Sequence, residues 1–255
     1  MDLLAAITPP HPVMAPVLYT LLFYGLRYFL FAGLSFLVAH PAHARGVGRA
    51  HAGAPASFDT ALHVRRELFY SVLTVGVFAG VNAVLYGYGF IHASLIYYQF
   101  VAYPAWWFVL SIVLMLVLHD TLFYWLHRAM HTPRLYRATH DVHHRSIYPT
   151  AFAAYSFHPW EALGEALIVT VIIYVMPVHP LAFLIFQTIS TAYNVYGHCG
   201  RELYPRGMHT HWLGRWINTS TLHAGHHLNR RGNYGLYFTF WDRAMGTLVP
   251  PGGRA

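Results

Sequence analysis

Apolar residues run in long stretches along this 255-residue chain, broken by short arginine-bearing segments. Val13 to Ala39 is almost continuously apolar, with Arg27 inside it. Leu68–His119 contains no Asp, Glu, Lys or Arg, and neither does Ala166–Gly200. A bilayer core takes roughly 20 apolar residues per helix. The pattern therefore predicts membrane helices over Val13–Ala39, Glu67–Phe90 and Ala105–Leu126. Ala162–Met176 and Leu181–Tyr196, either side of Pro177 and Pro180, predict a helical hairpin whose arms are each slightly short for a full span. A hairpin that crosses the bilayer is preferred, and one that enters part-way is the alternative. Everything after Gly200 is too polar to span and is expected to fold as a cap.

Composition agrees with a membrane chain: 56% of residues are hydrophobic and 10% charged, against about 25% charged in soluble domains. The formal charge of +7 comes entirely from arginine. With so few charges and such long apolar runs, orientation in a membrane explains the excess better than nucleic-acid binding, which is not expected. Arg45, Arg49, Arg65 and Arg66 precede the second span, and Arg128, Arg134, Arg137 and Arg145 follow the third. The positive-inside rule puts both groups in the cytoplasm. The N-terminus and the Ile91–Pro104 turn fall on the other side, where Tyr97, Tyr98 and Tyr103 suit an interface. No cleavable signal peptide is expected, because the N-terminus lacks a basic start. The lone cysteine, Cys199, excludes a disulfide framework and a cysteine-rich metal site, and a small buried apolar role is expected for it.

Nine histidines fall into tight groups, all at the predicted cytoplasmic ends or in cytoplasmic segments. His127 and His131 are spaced H-x3-H. His140, His143 and His144 make H-x2-HH, as do His223, His226 and His227. His198 stands alone with Asn194 four residues before it. Residues three and four apart share a helix face, so each group can aim imidazoles at one point. Imidazole suits iron, zinc, copper and nickel, and nine exceed what one ion binds, which points to two metals side by side. A closed structural zinc site needs only four ligands. The H-E-x-x-H zincin motif and the Glu-x-x-His signature of soluble di-iron bundles are absent.

Asp120-x3-Tyr124-Trp125-x-His127-Arg128-x2-His131, the two H-x2-HH boxes, Phe157-His158-Pro159, and Trp241-Asp242 before Gly246-Thr247 together resemble the fatty acid hydroxylase/sterol desaturase superfamily. The resemblance runs from about His119 to Thr247. It implies an integral membrane enzyme with a histidine-held pair of irons, using O2 and external electrons to hydroxylate or desaturate a fatty acyl, sterol or related lipid. Carried over by position, the implied ligands are His127, His131, His140, His143, His144, His198, His223, His226 and His227. Some members have a histidine where this chain has Asn194, which leaves that position to hold a metal through water or to stay open.

Asp120, on nearly the same face as His127, is expected to accept an N–H from a ligand imidazole. His158 is expected to support the site or the backbone. Glu161 and Glu165 could tune the site or cap the hairpin helix, with capping preferred; Asp141 is assigned to solvent or an arginine, and His119 to a non-ligand role. No role is assigned to His209 or His211.

The expected fold is all-α: about four membrane-crossing helices under a cytoplasmic helical cap that holds the dimetal site. Residues 1–104 carry the N-terminal membrane helices and loop, and 105–255 the histidine boxes, in one continuous domain. The expected cofactors are two Fe ions, with Zn able to replace them on purification because affinity alone favours it, and O2 as co-substrate. The expected partners are the bilayer, a lipid substrate and a reductase with a cytochrome- or ferredoxin-type carrier docking at Arg134, Arg137, Arg145, Arg230 and Arg231. The rival function is a membrane metal transporter or a metal-binding protein without turnover. A transporter would place its ligands near the bilayer midplane along a path, whereas these histidines gather at one edge.

Overall fold

The computed structural model describes residues 13–44, 60–205 and 207–251, without the side chains of 40–44 and 60. The expected polar loop over 40–66 lies largely outside them, including Arg45 and Arg49. Helix α1 (Met14–Thr20) passes through a π-helical turn, Leu21–Gly25, into α2 (Leu26–Ala44). Helix α3 covers Thr60–Gly87 and α4 covers Ala105–Met130. The second span thus starts seven residues earlier than expected. His63, Arg65 and Arg66 form its polar first turns, and no Gly or Pro there interrupts the helix. Helix α4 likewise runs past Leu126, so His127 sits on the helix itself and His131 closes it.

Among the described residues, three stretches are long and apolar enough to cross a bilayer: Met14–Ala39, Ala61–Gly87 and Ala105–Met130. Their buried positions are few, and leucines such as Leu22, Leu26, Leu30, Leu34 and Leu37 face outward. That is the reverse of a soluble helix and fits lipid as the surrounding solvent. The chain is an integral membrane protein.

After a short helix α5 (Asp141–His144) come the hairpin helices α6 (Pro159–Val175) and α7 (Pro180–His198). Each begins with proline in its first turn, where the missing N–H costs nothing. The residue before each, His158 and His179, caps it by accepting the N–H of Trp160 or Leu181. The α6–α7 turn pairs with the α3–α4 turn: Leu95 N–H donates to Ile173 O at 2.8 Å, Tyr97 N–H to Val178 O at 3.1 Å, and Val178 N–H to Leu95 O at 3.2 Å. The hairpin therefore runs the full depth of the bundle, from the histidine end to the opposite turn. The last elements, α8 (Ser220–Asn229) and α9 (Phe240–Ala244), fold over the histidine end.

Two buried polar ties hold the bundle to that end. Tyr28 OH on α2 hydrogen bonds Ser71 Oγ at 2.8 Å and donates to Phe152 O at 2.7 Å, while its ring stacks on Tyr155 at 4.3 Å. Glu67, fully buried on α3, accepts from Ser146 Oγ and Thr150 Oγ1 just beyond α5. A carboxyl at that depth requires such partners. Arg27 is also buried, with its guanidinium over the Tyr24 ring at 4.8 Å. Cys199 packs in the same core, as expected.

Candidate metal centre

The nine histidines converge as two groups: His127, His131, His140, His144 and His226 in one, and His143, His198, His223 and His227 in the other. Within each group the ligating atoms all lie within 4.8 Å of one another. Each H-x2-HH box is divided between the groups rather than aimed at one point. In α5 and the turn before it, the i,i+4 pair His140/His144 joins the first group and His143 the second. In α8 the i,i+4 pair His223/His227 joins the second and His226 the first. Positions four apart share a face, and the residue between them is rotated off it by about 60°, enough to reach an adjacent site. The two boxes exchange these roles, so neither site is complete without both.

Second contacts fix the rings. His127 Nδ1–H donates to Tyr234 O, His226 Nδ1–H to Gly232 O and His198 Nδ1–H to Asn194 O, each at 2.8 Å. A carbonyl only accepts, so these three present their Nε2 lone pairs to the cluster. His140 Nδ1 meets Glu161 Oε1 at 2.7 Å. Yet Nε2 atoms face one another at short range: His127–His140 at 3.0 Å, His131–His144 at 3.2 Å, His143–His198 at 3.2 Å, His198–His223 at 2.9 Å and His223–His227 at 3.2 Å. His226 Nε2 is buried without a partner. Facing lone pairs repel unless a cation lies among them. Imidazoles bind such ions at about 2.0–2.1 Å, and donors at right angles around an ion at that distance are about 3 Å apart.

The electrostatics favour the ligating form. Burial first, then neighbouring imidazoles, hold His131, His140, His143, His144, His226 and His227 below the ordinary imidazole range. They stay neutral near pH 7, as metal ligation requires. The donor set fits two transition-metal ions.

Backbone ties place the carbonyls that do this orienting. Gly232 has φ +98°, and a Cβ there would sit 2.2 Å from Thr247 O, so only glycine admits this turn. Asn233, also left-handed at φ 56°, donates to Leu222 O and Val249 O. Asp242 accepts the N–H groups of Tyr234 and Gly235 and the hydroxyl of Thr247.

Several expected roles change. Asp120 holds no imidazole: its Oδ1 accepts the N–H groups of Leu236, Tyr237 and Phe238 at 2.9, 2.6 and 3.3 Å. Its side chain turns toward the loop after α8, where it takes up three backbone N–H groups. His158 caps α6 and is not brought into either group. Asn194 Nδ2 donates to Ala154 O at 2.8 Å, so its amide braces the backbone while its own carbonyl aims His198. Glu161, for which capping was preferred, holds His140: three residues after the N-cap His158, its buried carboxyl turns inward and accepts the His140 Nδ1–H. His119 lies outside both groups, its Nδ1 3.2 Å from Tyr237 OH. Asp141 pairs with exposed Arg145 at 2.8 Å, as expected. Glu67 and Asn233 were not singled out. Glu67 had one signal, an acid at the start of an otherwise uncharged run.

An elongated cavity of about 480 Å³ runs between the helices up to this centre. Phe123 and Phe157 line it and abut the two groups, with ring centroids 5.1 Å from His127 and 5.3 Å from His143. The far end is lined by Ala15, Tyr19, Tyr86 and Tyr98, near the α3–α4 turn.

A membrane-embedded bundle carrying two buried imidazole groups that could each hold a metal ion, at the end of an apolar cavity, defines the class. Residues 112–247 match the fatty acid hydroxylase family, and the chain belongs to that family. It is 32% identical over 158 residues to the Delta(7)-sterol 5(6)-desaturase ERG3B of Gibberella zeae, covering 62% of this chain and 47% of that protein. It is 31% identical over 196 residues to the lathosterol oxidase of Homo sapiens, covering 74% and 62%. It is 30% identical over 146 residues to the Delta(7)-sterol 5(6)-desaturase of Leptosphaeria maculans, covering 57% and 39%. The matches thus span about half the length of these relatives. No solved structure matches the chain.

Proposed function

We propose that this protein is a non-haem di-iron oxidoreductase that hydroxylates or desaturates a membrane lipid with O2. The observation that carries this is the junction of two imidazole groups, five and four, with an apolar cavity of about 480 Å³. Small-molecule cavities typically measure about 300–1,000 Å³. His127, His131, His140, His144 and His226 would hold one iron, and His143, His198, His223 and His227 the other. When bound, the irons supply the oxygen activation that no side chain can.

The chain's own residues do the rest. The carbonyls of Tyr234, Gly232 and Asn194 and the carboxyl of Glu161 keep each Nδ1 proton on the outside, so that every such Nε2 faces inward. Helices α3, α4, α6 and α7 wall the cavity and exclude water from a reacting methylene. Phe123 and Phe157 set how close that methylene comes. The sterol-named relatives and the family name both point to lipids, of which a sterol and a fatty acyl chain are the two candidates.

Electrons would arrive from an external reductase and its cytochrome- or ferredoxin-type carrier. Arg134, Arg137, Arg145, Arg230 and Arg231 are all exposed around the histidine end and suit an acidic carrier. This end faces the cytoplasm by the arginine pattern. The histidines gather at one end of the bundle rather than along a path through it, which disfavours transport.

The test is conversion of a lipid panel by the iron-loaded protein in nanodiscs with a reductase system. Oxygen-dependent gain of 16 or loss of 2 mass units in one lipid class is expected. No product from any lipid, with both metals present, would contradict the reading.

A further inference from the structure

The segment between α7 and α8 carries large apolar side chains that no core receives. Leu203, Trp212, Leu213 and Trp216 are exposed, Trp212 at 70% and Leu213 at 54%. The backbone that bears them is nevertheless well bonded. Two 3-10 turns, Met208–Thr210 and Gly214–Trp216, lie against each other, and a Cβ on Gly214 would sit 2.5 Å from Met208 O. His211 Nδ1 accepts the N–H groups of Leu213 and Gly214, both at 3.4 Å. The turns therefore present Trp212 and Leu213 outward from a built platform.

Depth in the bundle decides what covers them. Trp216 O accepts Thr239 N–H at 2.9 Å, and Tyr237 O accepts Asn218 N–H at 2.8 Å. The same 236–239 stretch hangs from Asp120, and Trp241 Nε1–H donates to Thr121 Oγ1 at 3.1 Å. Asp120 lies fifteen residues into α4, about 22 Å along its axis, and a hydrocarbon core is about 30 Å deep. Trp125, just past Asp120, is itself exposed. The Trp216 backbone is thus tied to the last turns of an apolar span, where exposed tryptophans mark a membrane–water interface. Lipid of the leaflet on the histidine side covers Trp212 and Leu213.

The charges nearby select among lipids. Arg215 and Arg243 both sit over the Trp216 ring, their guanidinium carbons 5.0 and 5.5 Å from its centroid. Arg243 donates through Nε and Nη2 to Arg215 O. Among the described residues neither guanidinium pairs with a carboxylate. Two cations gathered on one indole repel each other unless an anion joins them, and the guanidinium fork matches a phosphate. We propose that Arg215, Arg243 and Trp216 form a site for the headgroup phosphate of an anionic phospholipid, with Trp212 and Leu213 seated beside its acyl chains. A zwitterionic lipid offers a phosphate as well, but its ammonium would bring a third cation to the pair.

The test needs no metal and no turnover. Full-length protein in detergent is titrated with phosphatidylglycerol and with phosphatidylcholine of the same acyl chains, and bound lipid is counted by native mass spectrometry. Phosphatidylglycerol should bind more tightly by about fivefold for each of the two arginines. Arg215→Gln and Arg243→Gln should each remove about one such factor. Arg65→Gln takes the same charge from the exposed first turns of α3 and should remove none. In nanodiscs, a spin label on Leu213→Cys should meet oxygen more readily than a water-soluble nickel chelate. Equal binding of the two lipids by the unmodified protein would overturn the proposal. So would a preference lowered as much by Arg65→Gln as by Arg215→Gln, or a label that the nickel chelate reaches more readily. The two-lipid comparison stands on the unmodified protein even if a variant does not fold.

Discussion

The two imidazole groups draw on the same boxes but are braced differently. In the first, His127, His226 and His140 each have Nδ1 fixed by a carbonyl or carboxyl. In the second, His198 is fixed by Asn194 O, whereas His227 leaves Nδ1 buried without a hydrogen bond, as His144 does in the first. Partners behind a ligand orient it and raise its basicity, and losing one costs 10–100-fold in metal affinity. The first group should therefore hold its ion more tightly, and the second should be the more adaptable and the first to empty. Both reach the cavity wall, through Phe123 and Phe157.

The sharpest way to break this comparison is to remove one ligand from each side. His226→Ala should empty the first site and His143→Ala the second, each with at least a hundredfold loss of lipid oxidation, read as metals per chain by mass spectrometry. If either variant loses both ions in equal measure, the groups are not separate sites. Next, Glu161→Gln should weaken metal retention in the first group by about 10–100-fold and leave the second unchanged, measured by chelator competition.

Acidification sharpens the contrast from another direction. The buried imidazoles of both groups sit below the ordinary imidazole value of 6.5, so the unfolded chain takes up protons that the folded chain refuses. Stability is unaffected above that value and falls as pH drops below it, by about 1.4 kcal/mol per pH unit for each such histidine. Thermal unfolding of the metal-free protein between pH 7.5 and 5 should show this steep one-sided loss, and bound metal should delay it. A flat profile would mean that the imidazoles are not held neutral.

Smaller effects follow outside the ligands. Asp120→Ala strands three N–H groups of the 236–238 segment and loosens Tyr234, behind His127. It should cost about 2–3 kcal/mol of stability and affect the first site before the second. His158→Ala should cost about 1 kcal/mol as a lost helix cap, with metal content unchanged. A loss of metal in His158→Ala would return that residue to the site.

Much of this was legible in the sequence, and the limits have physical reasons. All nine gathered histidines could be named because clustered imidazoles in an apolar chain have few other uses. The spans followed from uncharged length. The division of each H-x2-HH box was not legible, because helical periodicity says which residues share a face but not how many points lie in front of it. Asp120 and Glu161 were exchanged in role for a related reason. Both are acids near a histidine, and which one meets an imidazole depends on a loop, 230–238, that packs against α4 from more than a hundred residues away. That Glu165 and His119 line the cavity was not legible either, because it depends on how distant helices pack.

The central claim is tested most directly by metal analysis with Mössbauer spectroscopy on protein from iron-enriched cells, beside His143→Ala and His226→Ala. The account predicts two irons per chain, magnetically coupled when oxidised, and one uncoupled iron in each variant. One iron or none in the unmodified protein, or a content that neither substitution changes, would contradict it.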